Sequence, residues 1–140
     1  MPAWLRSMIG VIVGLVVGGS LNMGIIVAGS MLLPPPEGVD AMDPESINAN
    51  LERYTVVQLM VPIVAHAAGT LLGAAVATLI SASRSWRPGL FVGGFFLVGG
   101  IMAVQMMPNT PLWFAVLDLG GAYIPMGWLG WKLAARRPAT

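Results

Sequence analysis

The sequence predicts an all-α fold, a bundle of four transmembrane helices. Apolar residues make up 56% of the 140-residue chain and charged residues only 9%, whereas soluble domains carry about a quarter charged residues. Four apolar stretches also approach the roughly 20 residues that a spanning helix needs. These spans lie at about 8–33, 56–80, 89–107 and 112–133.

The net charge, the cysteine count and the length of the chain exclude several classes of protein. A net charge of +1 gives no argument for binding nucleic acid, and the lack of cysteine excludes disulfides, thiolate metal sites and thiol catalysis. The length fits a single transmembrane domain, residues 1–140. No nucleophile elbow, phosphate loop, zincin helix or dinucleotide fingerprint occurs, so we do not expect an enzyme.

The first apolar stretch begins like a signal peptide, because Arg6 precedes it. It continues to about Leu33, which is too long for the apolar core of a signal peptide, and no convincing A-x-A site follows. We therefore expect this stretch to be retained as span one.

The charges of the connections predict the orientation. The connection between spans two and three is basic, whereas the segment 34–55 between spans one and two is acidic. By the positive-inside rule, we expect both chain ends and the basic connection to be cytoplasmic, with 34–55 on the outer side. The basic residues that agree with this orientation are Arg6, Arg84, Arg87, Lys132, Arg136 and Arg137.

The outer segment is expected to contain a short helix. Asp43-Pro44-Glu45 is typical of a helix start, with an N-cap, a proline at the first position and an acid in the first turn. A helix at about 44–53 aligns Ile47, Leu51 and Tyr54 on one apolar face, so it would lie on the membrane surface or against the bundle.

Carboxylates in the same segment raise the question of a cation site. Glu37, Asp40 and Asp43 offer oxygen ligands, but their spacing lacks the alternating ligands, central glycine and terminal glutamate of an EF-hand. A solvated acidic surface is the favoured interpretation.

The turns predict how the spans are arranged. The short connection at 108–111 contains two prolines, so spans three and four form an antiparallel hairpin. Spans one and two form the other hairpin, and the two are joined on the cytoplasmic side. Pro125 is expected to kink span four.

Small residues recur every four positions on spans one and two. In a bilayer such residues let helix backbones approach closely for dispersion contacts. We expect them to form packing faces, and packing within the bundle is favoured over an interface to another chain. They are Gly10, Gly14 and Gly18 on span one, and Ala65, Gly69, Gly73 and Ala77 on span two.

Polar side chains lie inside the spans, where they are energetically costly. Asn22 continues the glycine ladder of span one, His66 shares a face of span two with Thr70, and Asp118 lies on span four close to Tyr123. Each is placed toward other helices rather than lipid. We expect a hydrogen-bonded cluster of His66 with Asn22 or Asp118.

The role of this cluster stays open between alternatives. One is a purely structural interhelical hydrogen bond. Another is proton or ion handling, in which His66 exchanges protons with Asp118 or Tyr123, because histidine titrates closest to physiological pH. A third is ligation of a haem or chlorophyll metal by His66. The third idea depends on the one histidine of the chain, so we assign no cofactor and no metal.

Four strings of the sequence together resemble a family of short bacterial four-span membrane proteins. They are Asn22-Met23-Gly24, residues 34–40 (PPPEGVD), residues 65–70 (AHAAGT) and residues 122–130 (AYIPMGWLG). That family has no assigned activity, and its members are uncharacterised. The resemblance therefore implies the four-span topology and a bacterial inner membrane, but no mechanism.

The leading functional expectation is a non-catalytic one. Little soluble mass and glycine-rich faces suit an accessory or scaffold subunit of a membrane complex, or a homo-oligomer, whose partners are the lipid bilayer and other membrane subunits or itself. The main alternative is a small transporter or channel for protons or a small solute, working through the polar site. A pigment or haem carrier that uses His66 is the second alternative.

Overall fold

The computed structural model describes residues 1–136, and over that range the chain forms helices and no β-strand. The helices are α1 (Ala3–Leu32), α2 (Pro44–Ala49), α3 (Val56–Ile80), α4 (Trp86–Met106), α5 (Leu112–Gly121) and α6 (Ile124–Ala135), with a 3₁₀ turn at Leu51–Arg53 between α2 and α3. Arg137, which the orientation argument uses, lies outside the described residues.

The prediction of four apolar membrane-spanning segments is confirmed. Helices α1, α3 and α4, and the combined segment Leu112–Ala135, are each long and apolar enough to cross a membrane. The chain is therefore a multi-pass membrane protein with a helical bundle.

The fourth segment differs from its predicted form. Instead of a single kinked helix, it consists of α5 and α6 separated at Ala122 and Tyr123. Pro125 does not interrupt a helix, because it lies in the first turn of α6. A proline is tolerated there, since the first N–H groups of a helix have no intrahelical partner.

Helices α1 and α3 are held together by backbone contact at glycines. The buried residues of α1 are Gly10, Gly14 and Gly18. A Cβ atom added to Gly73 would lie only 2.6 Å from the carbonyl oxygen of Gly14, and one added to Gly69 would lie 2.6 Å from that of Gly18. The two predicted small-residue faces thus meet each other, and Ala65 and Ala77 of α3 are also fully buried.

Glycines also join α4 to α6. A Cβ atom on Gly127 would lie 2.9 Å from the carbonyl oxygen of Gly89, and one on Gly93 would lie 2.9 Å from that of Tyr123. Helix α3 contacts α1, α4, α5 and α6, so it is the central element of the bundle. Ala74, Ala77 and Val92 form the buried apolar core between α3 and α4.

One end of the bundle, which we call the cap end, is covered by α2 and the 3₁₀ turn. Asp43 caps α2 by accepting hydrogen bonds from the backbone N–H groups of Glu45 and Ser46. Asn109, in the turn before α5, donates its backbone N–H to the side-chain oxygen of Asn48 at 2.9 Å. The cap is thus fixed to the α4–α5 turn.

The opposite end, which we call the basic end, carries most of the cationic side chains. Arg6 donates from Nε to the carbonyl oxygen of Ile80 at 2.7 Å, which links the start of α1 to the end of α3. Lys132 lies 4.4 Å from the ring centre of Trp128. The two ends of the bundle therefore differ in charge.

The glycine contacts predict a position-specific effect on stability. Gly14→Ala should lower the free energy of unfolding by about 1–3 kcal/mol, because its methyl group collides with the backbone of Gly73. Gly19→Ala, on the same helix, is the control, because a Cβ atom there meets nothing within 4 Å. Unfolding by SDS titration from a mild detergent measures both; equal stability of the two variants would contradict the packing described.

Candidate functional site

Three ionisable side chains meet in the half of the bundle nearer the cap. His66 is near the middle of α3, Asp118 is in α5, and Tyr123 lies in the break between α5 and α6. The Nδ1 atom of His66 lies 2.7 Å from Oδ1 of Asp118. The Tyr123 hydroxyl donates to Oδ2 of Asp118 at 3.0 Å, and its oxygen lies 2.9 Å from Nδ1 of His66. We call these residues the triad.

The donor in the contact between His66 and Asp118 depends on the ionisation of the carboxyl group. With Asp118 ionised, the carboxylate only accepts hydrogen bonds, and a proton on Nδ1 of His66 makes the hydrogen bond to it. Both contacts of His66 use Nδ1, and no hydrogen bond to its Nε2 atom is found within residues 1–136. Nε2 is thus the ring nitrogen of His66 that has no hydrogen-bond partner among these residues.

Burial makes this arrangement obligatory for Asp118. The residue is 1% exposed, and an unpaired carboxylate in such surroundings would be strongly unfavourable. Its two oxygens instead have one donor each, from His66 and Tyr123. His66 remains about one fifth exposed, at 21% of its side chain, so one edge of the imidazole is accessible while the other is held by Asp118.

The break between α5 and α6 brings Tyr123 to the triad. Tyr123 has φ −115° and ψ −78°, outside regular helix geometry, and α6 starts directly after it. Its ring also needs Gly100 of α4, because a Cβ atom there would lie 2.5 Å from the Tyr123 hydroxyl oxygen. Discontinuous membrane helices commonly form binding sites at such breaks.

Asn22 and Thr70 lie beside the triad without joining it. Together with His66, Tyr123 and Phe96 they line a cavity of about 180 Å³, which we call the Thr70 cavity. Asn22 Oδ1 and Thr70 Oγ1 are both buried, and neither has a hydrogen-bond partner in the described part of the chain. They are therefore buried polar atoms of residues in the cavity wall, and they have no hydrogen-bond partner among the described residues.

A second cavity of about 340 Å³ lies between the cap and the triad, and we call it the cap cavity. Most of its wall is apolar, including Ile47 and Leu51 of the cap and Phe114 of α5. Its ionisable lining residues are Tyr54, His66 and Asp118. Burial raises the pKa of Tyr54, so this phenol is uncharged at neutral pH.

His66 lines both cavities. A carboxylate on one ring nitrogen fixes the tautomer and orientation of the imidazole, and the same arrangement orients histidines that bind metals. Nε2 is therefore the atom through which His66 would exchange a proton or ligate the metal of a haem or chlorophyll.

Two carboxylates of the acidic segment near the cap, Asp40 and Asp43, accept hydrogen bonds from nearby backbone N–H groups. Asp40 accepts a hydrogen bond from the backbone N–H of Met42 at 2.8 Å, and Asp43 caps α2. Within residues 1–136, no group of three or more His, Cys, Asp or Glu side chains is arranged to hold a metal ion.

The structure brings together three of the five candidate residues and separates two from the hydrogen-bond network. His66, Asp118 and Tyr123 form the triad, whereas Asn22 and Thr70 face the adjoining cavity. Sequence reasoning did not identify Gly100 or Phe96 as part of the site. Gly100 follows Gly93 by seven residues and so lies on the same face of α4 as Gly89 and Gly93, which was the one available signal.

Comparisons of the chain with protein-family models, with curated proteins and with solved structures find no match.

The triad predicts an energetic coupling between its members. In a double-mutant cycle, His66→Gln and Asp118→Asn should show an interaction energy of about 0.5–3 kcal/mol, because the two side chains share one buried hydrogen bond. The measurement is the free energy of unfolding by SDS titration.

Thr78 supplies the control for this cycle. It is buried on the same helix, about three turns beyond His66, so Thr78→Val combined with Asp118→Asn should be additive to within about 0.5 kcal/mol. If the effects of the His66 and Asp118 variants on the free energy of unfolding were additive as well, the hydrogen bond between the two side chains would contribute nothing to stability.

Proposed function

We propose that the protein is a small proton transporter or channel whose proton site is His66 with Asp118. The observation that carries this proposal is the position of His66. Its side chain lines both cavities, and its Nδ1 atom lies against the Asp118 carboxyl group. Polar and ionisable groups inside a membrane bundle are costly and commonly mark ion or substrate paths.

The chemistry of the triad supports proton exchange. Imidazole is the side chain whose charge changes nearest to neutral pH. When Nε2 takes up a proton, the Asp118 carboxylate at 2.7 Å from Nδ1 stabilises the imidazolium formed. The Tyr123 hydroxyl keeps the second oxygen of Asp118 paired in both charge states.

The charge distribution supports an orientation for transport. With the basic end in the cytoplasm, as the positive-inside rule favours, the cap helix and the cap cavity are extracytoplasmic. In that orientation, α1 with α3 and α4 with α5 and α6 are the two antiparallel hairpins. The bacterial inner membrane is the location that the family resemblance favours.

A transport cycle also requires a second conformation. Toward the basic end, the backbones of α1 and α3 touch at Gly14 and Gly73, which leaves no passage between them. The break at Ala122 and Tyr123 offers a hinge, because residues between helices absorb changes in backbone angles. Tilting of α6 about this hinge would open a route from the triad to the basic end.

Proton flux into liposomes tests the proposal. Liposomes that contain the protein and an internal pH dye, placed under an imposed membrane potential, should acidify faster than protein-free liposomes. His66→Gln and Asp118→Asn should both reduce the flux to the protein-free level, because each removes one partner of the proton site. Thr78→Val should keep the flux of the unchanged protein.

Two outcomes would contradict the proposal. One is the absence of flux with the unchanged protein. The other is equal flux in the His66 and Thr78 variants, provided that both fold. In either case the triad would be a structural hydrogen-bond network.

A second candidate function is an accessory subunit or homo-oligomer. Its support is the surface of α1, where the buried residues are Gly10, Gly14 and Gly18. On the opposite face, Gly19 and Gly24 have open space around them, beside Ser20 and Ala28. Small residues of this kind permit close approach of another helix.

Particle mass distinguishes this second candidate. Gly24→Leu fills the open face of α1 without contacting the bundle, so it should reduce the mass of the particle extracted in mild detergent if a partner docks there. Gly94→Leu is the control, because Gly94 of α4 is equally open. A small particle from the unchanged protein would contradict the accessory function.

A further inference from the structure

Thr70 departs from the behaviour of the other hydroxyl side chains of α3. Thr78 donates to the carbonyl oxygen of Ala74 at 2.8 Å, and Ser81, just after the helix, donates to that of Ala77 at 2.7 Å. Such bonds to the residue four positions back are the usual way to satisfy a hydroxyl in a membrane helix. Thr70 is 1% exposed, yet its Oγ1 makes no hydrogen bond to any described residue.

Asn22 places a second unsatisfied oxygen on the same cavity from α1. Two buried polar atoms without partners are costly, at about 1–3 kcal/mol each, and both line the Thr70 cavity. Their convergence from different helices indicates a site that is filled by a hydrogen-bond donor.

The remaining lining indicates the charge of that donor. The aromatic rings of Phe96 and Tyr123 line the cavity, and aromatic faces attract cations. No lysine or arginine among residues 1–136 lines it, and the Asp118 carboxylate lies directly behind His66 and Tyr123. An anion would find hydrogen-bond donors in the Thr70 hydroxyl and the Asn22 amide, but no cationic partner apart from a protonated His66, and the Asp118 carboxylate would repel it.

We infer that the Thr70 cavity binds a small ammonium-type cation, such as ammonium or a primary methylamine. Its N–H groups would donate to Asn22 Oδ1 and Thr70 Oγ1, and its charge would be balanced by Asp118. The volume of about 180 Å³ restricts the ligand to a small molecule with a few waters. This inference rests on the proposed function, because it names the solute that the proton site would serve.

The charges around His66 determine how binding depends on pH. The groups that face it are Asp118 from α5 and Tyr123 from the break, while Asn22 of α1 and Phe96 of α4 are uncharged. With His66 neutral, the triad carries one negative charge and balances a bound cation. With His66 protonated, the pair is already neutral. Affinity should therefore rise as the pH increases, and binding should release the His66 proton.

Equilibrium binding of radiolabelled methylammonium to the protein in nanodiscs tests the inference, with empty nanodiscs as the blank. We expect saturable binding that weakens at acidic pH. Thr70→Val should weaken it by about tenfold or more, since a hydrogen bond to a charged group is worth about one decade of affinity. Thr78→Val should leave it unchanged, because the Thr78 hydroxyl bonds within its own helix.

Thr70→Val also provides its own test of folding. Valine has the shape of threonine, and the hydroxyl that is lost has no protein partner, so the variant should unfold at the same temperature as the unchanged protein or higher. Loss of binding by a stable Thr70 variant then reports the site itself. Asn22→Leu should weaken binding in the same way.

Competition defines the chemistry of the ligand. Ammonium should displace methylammonium, whereas tetramethylammonium, which has no N–H donor, and acetamide, which has no charge, should not. Absence of saturable binding, equal losses in the Thr70 and Thr78 variants, or equal displacement by tetramethylammonium, acetamide or sodium would each overturn the inference.

The two proposals fail separately. Proton flux that depends on His66, without methylammonium binding, would leave the transporter in place and overturn the ligand. Methylammonium binding that depends on Thr70, without proton flux, would leave the binding site in place and overturn transport.

Discussion

The need to pair the Asp118 carboxylate inside an apolar bundle governs the half of the structure near the cap. Asp118 is 1% exposed, and a charge in such surroundings persists only with donors on its oxygens. His66 supplies one donor from α3. The other comes from Tyr123, whose place requires that the fourth segment break into α5 and α6 and that α4 carry Gly100 rather than a larger residue. The pairing of one buried carboxyl group thus involves a helix break, a glycine and the orientation of an imidazole.

The two ends of the α1–α3 pair are packed by different means, and this difference creates the cavities. From Gly10 to Gly18, the backbone of α1 lies directly on that of α3, so no space remains. Beyond Asn22, larger side chains separate the helices, and Met23 and Ile26 line the cap cavity instead. A membrane bundle gains little from burying apolar surface, since lipid is equally apolar. The glycine contacts can therefore hold the helices while the other end stays open enough for a ligand.

Much of the fold could be predicted from the sequence, because both signals used are local. Runs of apolar residues identify the spanning segments, and the spacing of Gly10, Gly14 and Gly18 places these residues on one helix face. A cluster of His66 with Asn22 or Asp118 could be anticipated, because each of these residues shares a helix face with small residues. The helix break at Tyr123 and the unpaired hydroxyl of Thr70 could not be predicted, because they depend on the rotation of α5 and α6 relative to α3. A spacing pattern contains no information on that rotation, and Pro125 pointed to the right region but to a kink rather than a break.

The position of Tyr123 links the chemistry of the site to the shape of the bundle. Its hydroxyl bonds to Asp118 of α5, while its backbone carbonyl accepts the N–H of Gly127 in α6 at 2.7 Å. Any change in the charge of the His66–Asp118 pair therefore acts directly on the residue that joins the two half-helices. In the proposed cycle, a cation bound at Thr70 would replace the proton on His66. This exchange would change the hydrogen bonding of Tyr123 with His66 and Asp118. Gly93 and Gly127 let α6 pack close to α4. In the proposed cycle, a small shift at Tyr123 would pass to α6 as a rigid unit, toward the basic end where a second opening is needed.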